Sequence, residues 1–191
     1  MPRTSRLSRH KHKHVLVSVS ESESDSEKEE KDEIEIVRVN DSSTRQLEVN
    51  FLRKTFIINQ DPTALDHAAV LWDAALVMLG LIEEDPSRRS AMTSKRILEL
   101  GAGTGLLSIA LAKCLDCHMT CTDLPSALDN IQKNTVDNYI NNISFQTMVY
   151  EFGDISEATL HSLFFDKQTG KEQPFDFIIG TDVAYSEIRM S

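Results

Sequence analysis

The stretch Ile97-Leu98-Glu99-Leu100-Gly101-Ala102-Gly103-Thr104-Gly105-Leu106-Leu107 constrains the fold more than any other part of the chain. An apolar run of strand length enters glycines at alternate positions and leaves into a run of helix formers. At the carboxyl end of a strand, such glycines allow a tight turn and leave bare N–H groups at a helix N-terminus, where a nucleotide-like ligand can lie. Leu106 stands where a dinucleotide fingerprint needs its third glycine, which argues against NAD. No Lys or Arg lies inside the turn, so it makes a poor polyphosphate cradle. About twenty residues on, Asp123 follows Cys121-Thr122 and precedes Leu124, at the distance where a carboxylate accepts ribose hydroxyls. Glu99 at the tip of the first strand adds a second acid. Two acids beside a bare-backbone turn suit a ribose-bearing ligand that carries positive charge.

The surrounding pattern supplies the sheet for this turn. Ile97 to Leu100 reads as a buried strand, Leu106 to Leu115 as a helix, His118 to Thr122 as a strand, Ser126 to Asn138 as a helix and Ser144 to Tyr150 as a strand. A weaker helix is predicted over 156–163, a polar loop over 166–174, and a last strand over Phe175 to Gly180. Alternation of this kind predicts an α/β fold with a parallel sheet and crossover helices. Ahead of it, Ile34 to Val39, Leu47 with Val49, and Thr55 to Ile58 predict short strands, the last running into an Asn59-Gln60-Asp61-Pro62 turn. Residues 64–84 are apolar nearly all round and predict one helix stopped near Asp85-Pro86, followed by a polar link from Ser87 to Lys95.

These residues carry a resemblance. Leu98-Glu99-Leu100-Gly101-Ala102-Gly103-Thr104-Gly105, Thr122-Asp123-Leu124 and Gly180-Thr181-Asp182-Val183-Ala184-Tyr185 resemble the successive motifs of seven-strand S-adenosylmethionine-dependent methyltransferases, and more narrowly the family 16 protein lysine methyltransferases. Ala69-Val70-Leu71-Trp72-Asp73-Ala74-Ala75 is similar to that family's opening helix, and Asp182-Val183-Ala184-Tyr185 matches its D-x-x-Y signature. The resemblance implies a Rossmann-like seven-strand sheet, S-adenosylmethionine as cofactor, and methyl transfer to a lysine of a non-histone protein such as a chaperone or translation factor. It implies that Trp72, Glu99, Gly101, Ala102, Gly103, Asp123, Leu124, Phe152 and Thr181 serve the cofactor, and that Asp182 and Tyr185 face the incoming amine. The family commonly has Trp-Gly after the third strand; Phe152-Gly153 here keeps a ring for stacking and loses the indole donor. Two other readings are carried beside it. One is methylation of RNA or a small molecule, which for base nitrogens predicts an N-P-P-[YF]-like tetrad where Thr181-Asp182-Val183-Ala184 stands. The other is a catalytically weak chain acting as an interaction protein.

The 191 residues fit one domain of about 158 residues, 34–191, behind a charged tail, 1–33, that is expected to be disordered. The tail opens basic (Arg3, Arg6, Arg9, Lys11, Lys13) and turns to Ser/Glu/Asp from Ser20, where Ser20, Ser22, Ser24 and Ser26 each precede an acid by three. Thirty acidic against twenty basic side chains disfavour nucleic acid as a partner. No apolar run reaches the roughly 18–20 residues needed to span a bilayer, so no membrane association is expected and a cytoplasmic or nuclear setting is. Cys114, Cys117 and Cys121 with His118 invite a metal reading, but period two places Cys117 and Cys121 on one face of a buried strand; no metal is expected. The resembling fold would continue with a fifth strand and an antiparallel pair, roughly sixty further residues. The sequence therefore reads as a shortened product, with an exposed edge on the strand after Phe175 and less cover for Phe164 and Phe165.

Overall fold

The computed structural model describes residues 13–15, 36–38, 46–61, 63, 67–140, 144–166 and 169–183. Among the described residues two four-stranded sheets are present. The first is antiparallel, in the order β1 (Lys13–Val15), β2 (Ile36–Arg38), β3 (Gln46–Phe51), β4 (Lys54–Asn59). The second is parallel and contains β5 (Arg96–Leu100), β6 (His118–Asp123), β7 (Phe145–Val149) and β8 (Phe177–Gly180), in the spatial order β7-β6-β5-β8. Its connections are α3 (Leu106–Leu115) from β5 to β6, α4 (Pro125–Asp137) from β6 to β7, and α5 (Glu157–Phe164) from β7 back past β5 to β8. The chain therefore reverses direction across the sheet between β5 and β8. In such open sheets the crevice outside the strand carboxyl ends at the reversal is where ligands lie.

Burial follows the sequence periods. In β3, Leu47, Val49 and Phe51 are buried while Gln46, Glu48 and Asn50 are exposed, the period-two pattern of a half-covered strand. With Phe56 and Ile58 of β4 they join Leu76, Leu79 and Ile82 of α1 (Asp73–Glu84) and nearly all of α3 in one core cluster. α3 is buried over most of its surface because it lies between the parallel sheet and the β3–β4 hairpin with α1. β5 reads Ile97-Leu98-Glu99 buried throughout, as a central parallel strand should. β8 pairs with β5 and shows a less covered pattern, with Ile178 58% exposed. Phe164 packs edge-to-face on Phe175 at 5.6 Å.

Two expectations are corrected. Residues 64–84 do not form one helix: His67–Ala69 is a short 3-10 turn, and α1 starts at Asp73 with Trp72 extended before it. The break is held by hydrogen bonds that a continuous helix could not make, from the Leu71 N–H to Gln60 Oε1 and from the Trp72 indole to the His67 carbonyl. The polar link after Asp85 contains a second helix, α2 (Pro86–Met92). Asp85-Pro86 ends α1 and also starts α2: the carboxylate accepts the Ser87 and Arg88 N–H groups, and proline occupies the first helical position. In the tail, Lys13–Val15 pairs antiparallel with Ile36–Arg38, and the rest of residues 1–33 lies outside the described residues. Among the described residues no helix is long and apolar enough to cross a membrane.

Candidate active site

The glycine turn is built by backbone bonds to the neighbouring strand. The Ala102 N–H donates to the Thr122 carbonyl at 3.0 Å, and the Gly105 N–H to the Ala102 carbonyl at 2.9 Å. Asp123 at the end of β6 closes the turn: Oδ2 accepts the Gly103 N–H at 2.6 Å and Oδ1 accepts the Leu124 N–H at 2.7 Å. At two positions glycine is favoured by both backbone and space. Gly101 has φ +63°, and a Cβ there would stand 3.0 Å from Val183 Cγ1 and 3.3 Å from Phe152 Cζ. Gly105, at φ +80°, lies against Ile131 of α4, 3.1 Å from where a Cβ would be. A side chain at either position meets left-handed strain and a tight contact that the neighbouring side chain must yield to.

A cavity of about 280 Å³ opens above this turn, close to the lower end of small-molecule sites. Gly101 and Gly103 form its floor, and Asp123 and Leu124 one side. Tyr150, Glu151 and Phe152 enter from the loop after β7, and Thr181, Asp182 and Val183 from the end of β8. His67, Ala68 and Trp72 close it from the broken segment before α1. The position is the crevice at the carboxyl ends of β5, β6 and β8. Trp72 is 47% exposed and belongs to the cavity wall rather than the core. Asp182 holds a left-handed backbone, φ +55°, a conformation that Asp tolerates better than most residues.

Of the residues singled out from sequence, Trp72, Gly101, Gly103, Asp123, Leu124, Phe152, Thr181 and Asp182 line this one cavity. Ala102 and Glu99 are not among its lining residues. Glu99 is buried in the β5–α3 interface, where Oε2 accepts the Ser108 N–H at 3.0 Å and the Ser108 hydroxyl. Burial raises its pKa to about 7, the Asp123 charge adding to the rise and the Ser108 bonds opposing it. Tyr185 lies outside the described residues. Sequence reasoning missed His67, Ala68, Tyr150, Glu151 and Val183. Adjacency to Phe152 and Asp182 could have flagged the last three; His67 and Ala68 reach the cavity only because the helix breaks.

Among the described residues, the side chains lining the cavity include three acids, Asp123, Glu151 and Asp182, and no Lys or Arg. The field is therefore suited to a cation and hostile to polyphosphate. A family profile described as lysine methyltransferase matches residues 50–191. The chain belongs to this family. As a lysine methyltransferase family member it is 35% identical over 147 residues to EEF1A lysine methyltransferase 3 of Xenopus tropicalis, an alignment covering 76% of this chain and 58% of that protein. It is 31% identical over 150 residues to protein N-lysine methyltransferase METTL21A of the same organism, covering 78% and 61%. The chain thus spans about three-fifths of the length of these curated relatives. A solved structure from Streptococcus mutans, assigned to the SAM-dependent methyltransferases, superposes with a TM-score of 0.50 at 15% identity, over 75% of this chain and 34% of that one. That likeness places the parallel sheet of this family member in the methyltransferase fold.

Proposed function

We propose that the chain transfers a methyl group from S-adenosylmethionine to the side-chain amine of a lysine on another protein. The reading is carried by the Asp123 carboxylate closing the glycine turn beneath an acidic cavity, in a chain of the lysine methyltransferase family. The residues fit the cofactor. Each Asp123 oxygen uses one acceptor direction on a backbone N–H and keeps a second for a ribose hydroxyl. The bare floor at Gly101 and Gly103 admits close approach, and the Phe152 and Trp72 rings offer apolar faces in the cavity wall. Bound there, S-adenosylmethionine would supply an activated methyl whose displacement by a neutral amine depends chiefly on alignment.

The remaining residues act on the incoming amine. Asp182 orients it and accepts its proton directly or through water, and Thr181 and Val183 shape the wall beside the reacting position. By the family resemblance Tyr185 completes the amine channel. A translation factor is the favoured substrate class, because EEF1A appears in the name of the 35% identical relative; a chaperone is the alternative, and a cytoplasmic or nuclear setting goes with either. Titration calorimetry with S-adenosylhomocysteine, followed by incubation of the chain and methyl-labelled cofactor with a cell extract, tests the reading. Binding with label on protein lysine is expected; label on RNA, or on nothing, would refute it.

A further inference from the structure

We propose that Asn134 is a positioning residue that fixes the distance between the two walls of the cofactor cavity, an inference that rests on the function proposed above. Asn134 is fully buried in α4, and its carboxamide is shared between two structures. Oδ1 accepts the Asn59 N–H at 2.7 Å and Asn59 Nδ2 at 2.8 Å. Nδ2 donates to the Asn59 carbonyl at 3.1 Å and to the Thr104 carbonyl at 2.8 Å. The first set holds the end of β4. From there the Asp61 N–H reaches the Ala69 carbonyl, and Gln60 Oε1 accepts the Leu71 N–H, so this strand end carries the wall that holds His67, Ala68 and Trp72. The last bond holds the glycine turn. The Thr104–Gly105 peptide is thereby fixed at both ends, its carbonyl by Asn134 and its N–H by Ala102.

The walls meet closely at this level, since a Cβ on Gly103 would stand 3.6 Å from the Ala68 carbonyl oxygen. One buried amide therefore spans from the wall that would face the adenosyl group to the floor beneath it. Asn138, one helical turn on, is the internal control. Its amide clamps β4 in the same way, accepting the Ile57 N–H at 2.9 Å and donating to the Ile57 carbonyl at 2.7 Å. Its remaining donation goes to the Asn134 backbone carbonyl at 2.8 Å, not to the glycine turn. The two residues share the structural task of holding β4; Asn134 alone of the pair joins it to the turn.

The test measures S-adenosylhomocysteine affinity by calorimetry, and stability by urea unfolding, for the wild-type chain, Asn134→Ala and Asn138→Ala. Both variants should lose comparable stability, while affinity falls about tenfold or more in Asn134→Ala and less than about threefold in Asn138→Ala. A second measurement needs no variant: on adding S-adenosylhomocysteine to the wild-type chain, the Asn134 carboxamide protons should shift and exchange more slowly, those of Asn138 much less. Equal affinity losses, or an Asn134 response no greater than that of Asn138, would overturn the inference and leave the proposed function standing. No wild-type binding at all would remove that function and this inference with it.

Discussion

Replacing Glu99 by glutamine isolates what a carboxyl between β5 and α3 does to the fold. Glu99 is 1% exposed, and burial lifts its pKa from 4.5 to about 7. Below pH 4.5 the folded and unfolded chains both hold the proton; between 4.5 and about 7 the folded chain alone holds it; above that neither does. The stabilisation from proton retention is therefore full at the acid end and is lost as pH rises through about 7. From 4.5 to about 7, at about 1.4 kcal/mol per pH unit, it amounts to about 3 kcal/mol. Glutamine keeps the shape and an oxygen for Ser108 but does not ionise. Its added NH₂ costs about 1–2 kcal/mol if unpartnered, and that cost is independent of pH. The stability of Glu99→Gln relative to wild type should therefore move in the variant's favour by about 3 kcal/mol between pH 4.5 and 8. Urea unfolding, followed by far-UV circular dichroism and by the fluorescence of Trp72, the sole tryptophan, measures it at each pH. A relative stability that stays constant across that range would refute the reasoning, because it would mean that the carboxylate is as well solvated in the fold as out of it.

Three further outcomes follow from the site. Gly101→Ala should lose about 1–2 kcal/mol from left-handed strain and weaken S-adenosylhomocysteine binding by about tenfold, as Val183 and Phe152 are pushed into the cavity; thermal melting and calorimetry check both. Asp123→Ala should abolish measurable binding and, by leaving the Gly103 and Leu124 N–H groups without their acceptor, lower stability by about 1–3 kcal/mol in urea. Asp182→Asn should keep S-adenosylhomocysteine affinity within about twofold and slow methyl transfer by about ten- to a hundredfold, as read in single-turnover assays with labelled cofactor.

The glycine turn was legible because it depends on local rules. A buried strand, glycines in left-handed backbone and an acid about twenty residues later are each dictated by neighbours in the chain, and α3 falls on the predicted residues, Leu106 to Leu115. What escaped depends on individual side-chain bonds and on a signal with two meanings, neither of which hydrophobic periodicity reports. The helix expected over 64–84 fails at Trp72 because Gln60 and His67 offer bonds that no periodicity reports. α2 was hidden by reading Asp85-Pro86 only as a stop, although the same pair is a start signal. Glu99 was placed by proximity to the turn, whereas its side chain turns to Ser108, since Ile97 and Glu99 share the strand face that meets α3. The asparagines at 130, 134 and 138, spaced four apart along α4 and its C-cap, were a visible polar stripe, and all three amides reach β4.

That stripe also has a bearing on assembly. A strand at a sheet margin presents peptide groups on which another chain can template itself. Along β4 the outward groups of Ile57 and Asn59 are matched by carboxamides that imitate an adjacent strand and then stop, because they belong to a helix. The hairpin cannot recruit an intruding peptide on that flank without first evicting these three amides. Fibrillar growth is thus barred there by the same side chains that bind the hairpin to α4.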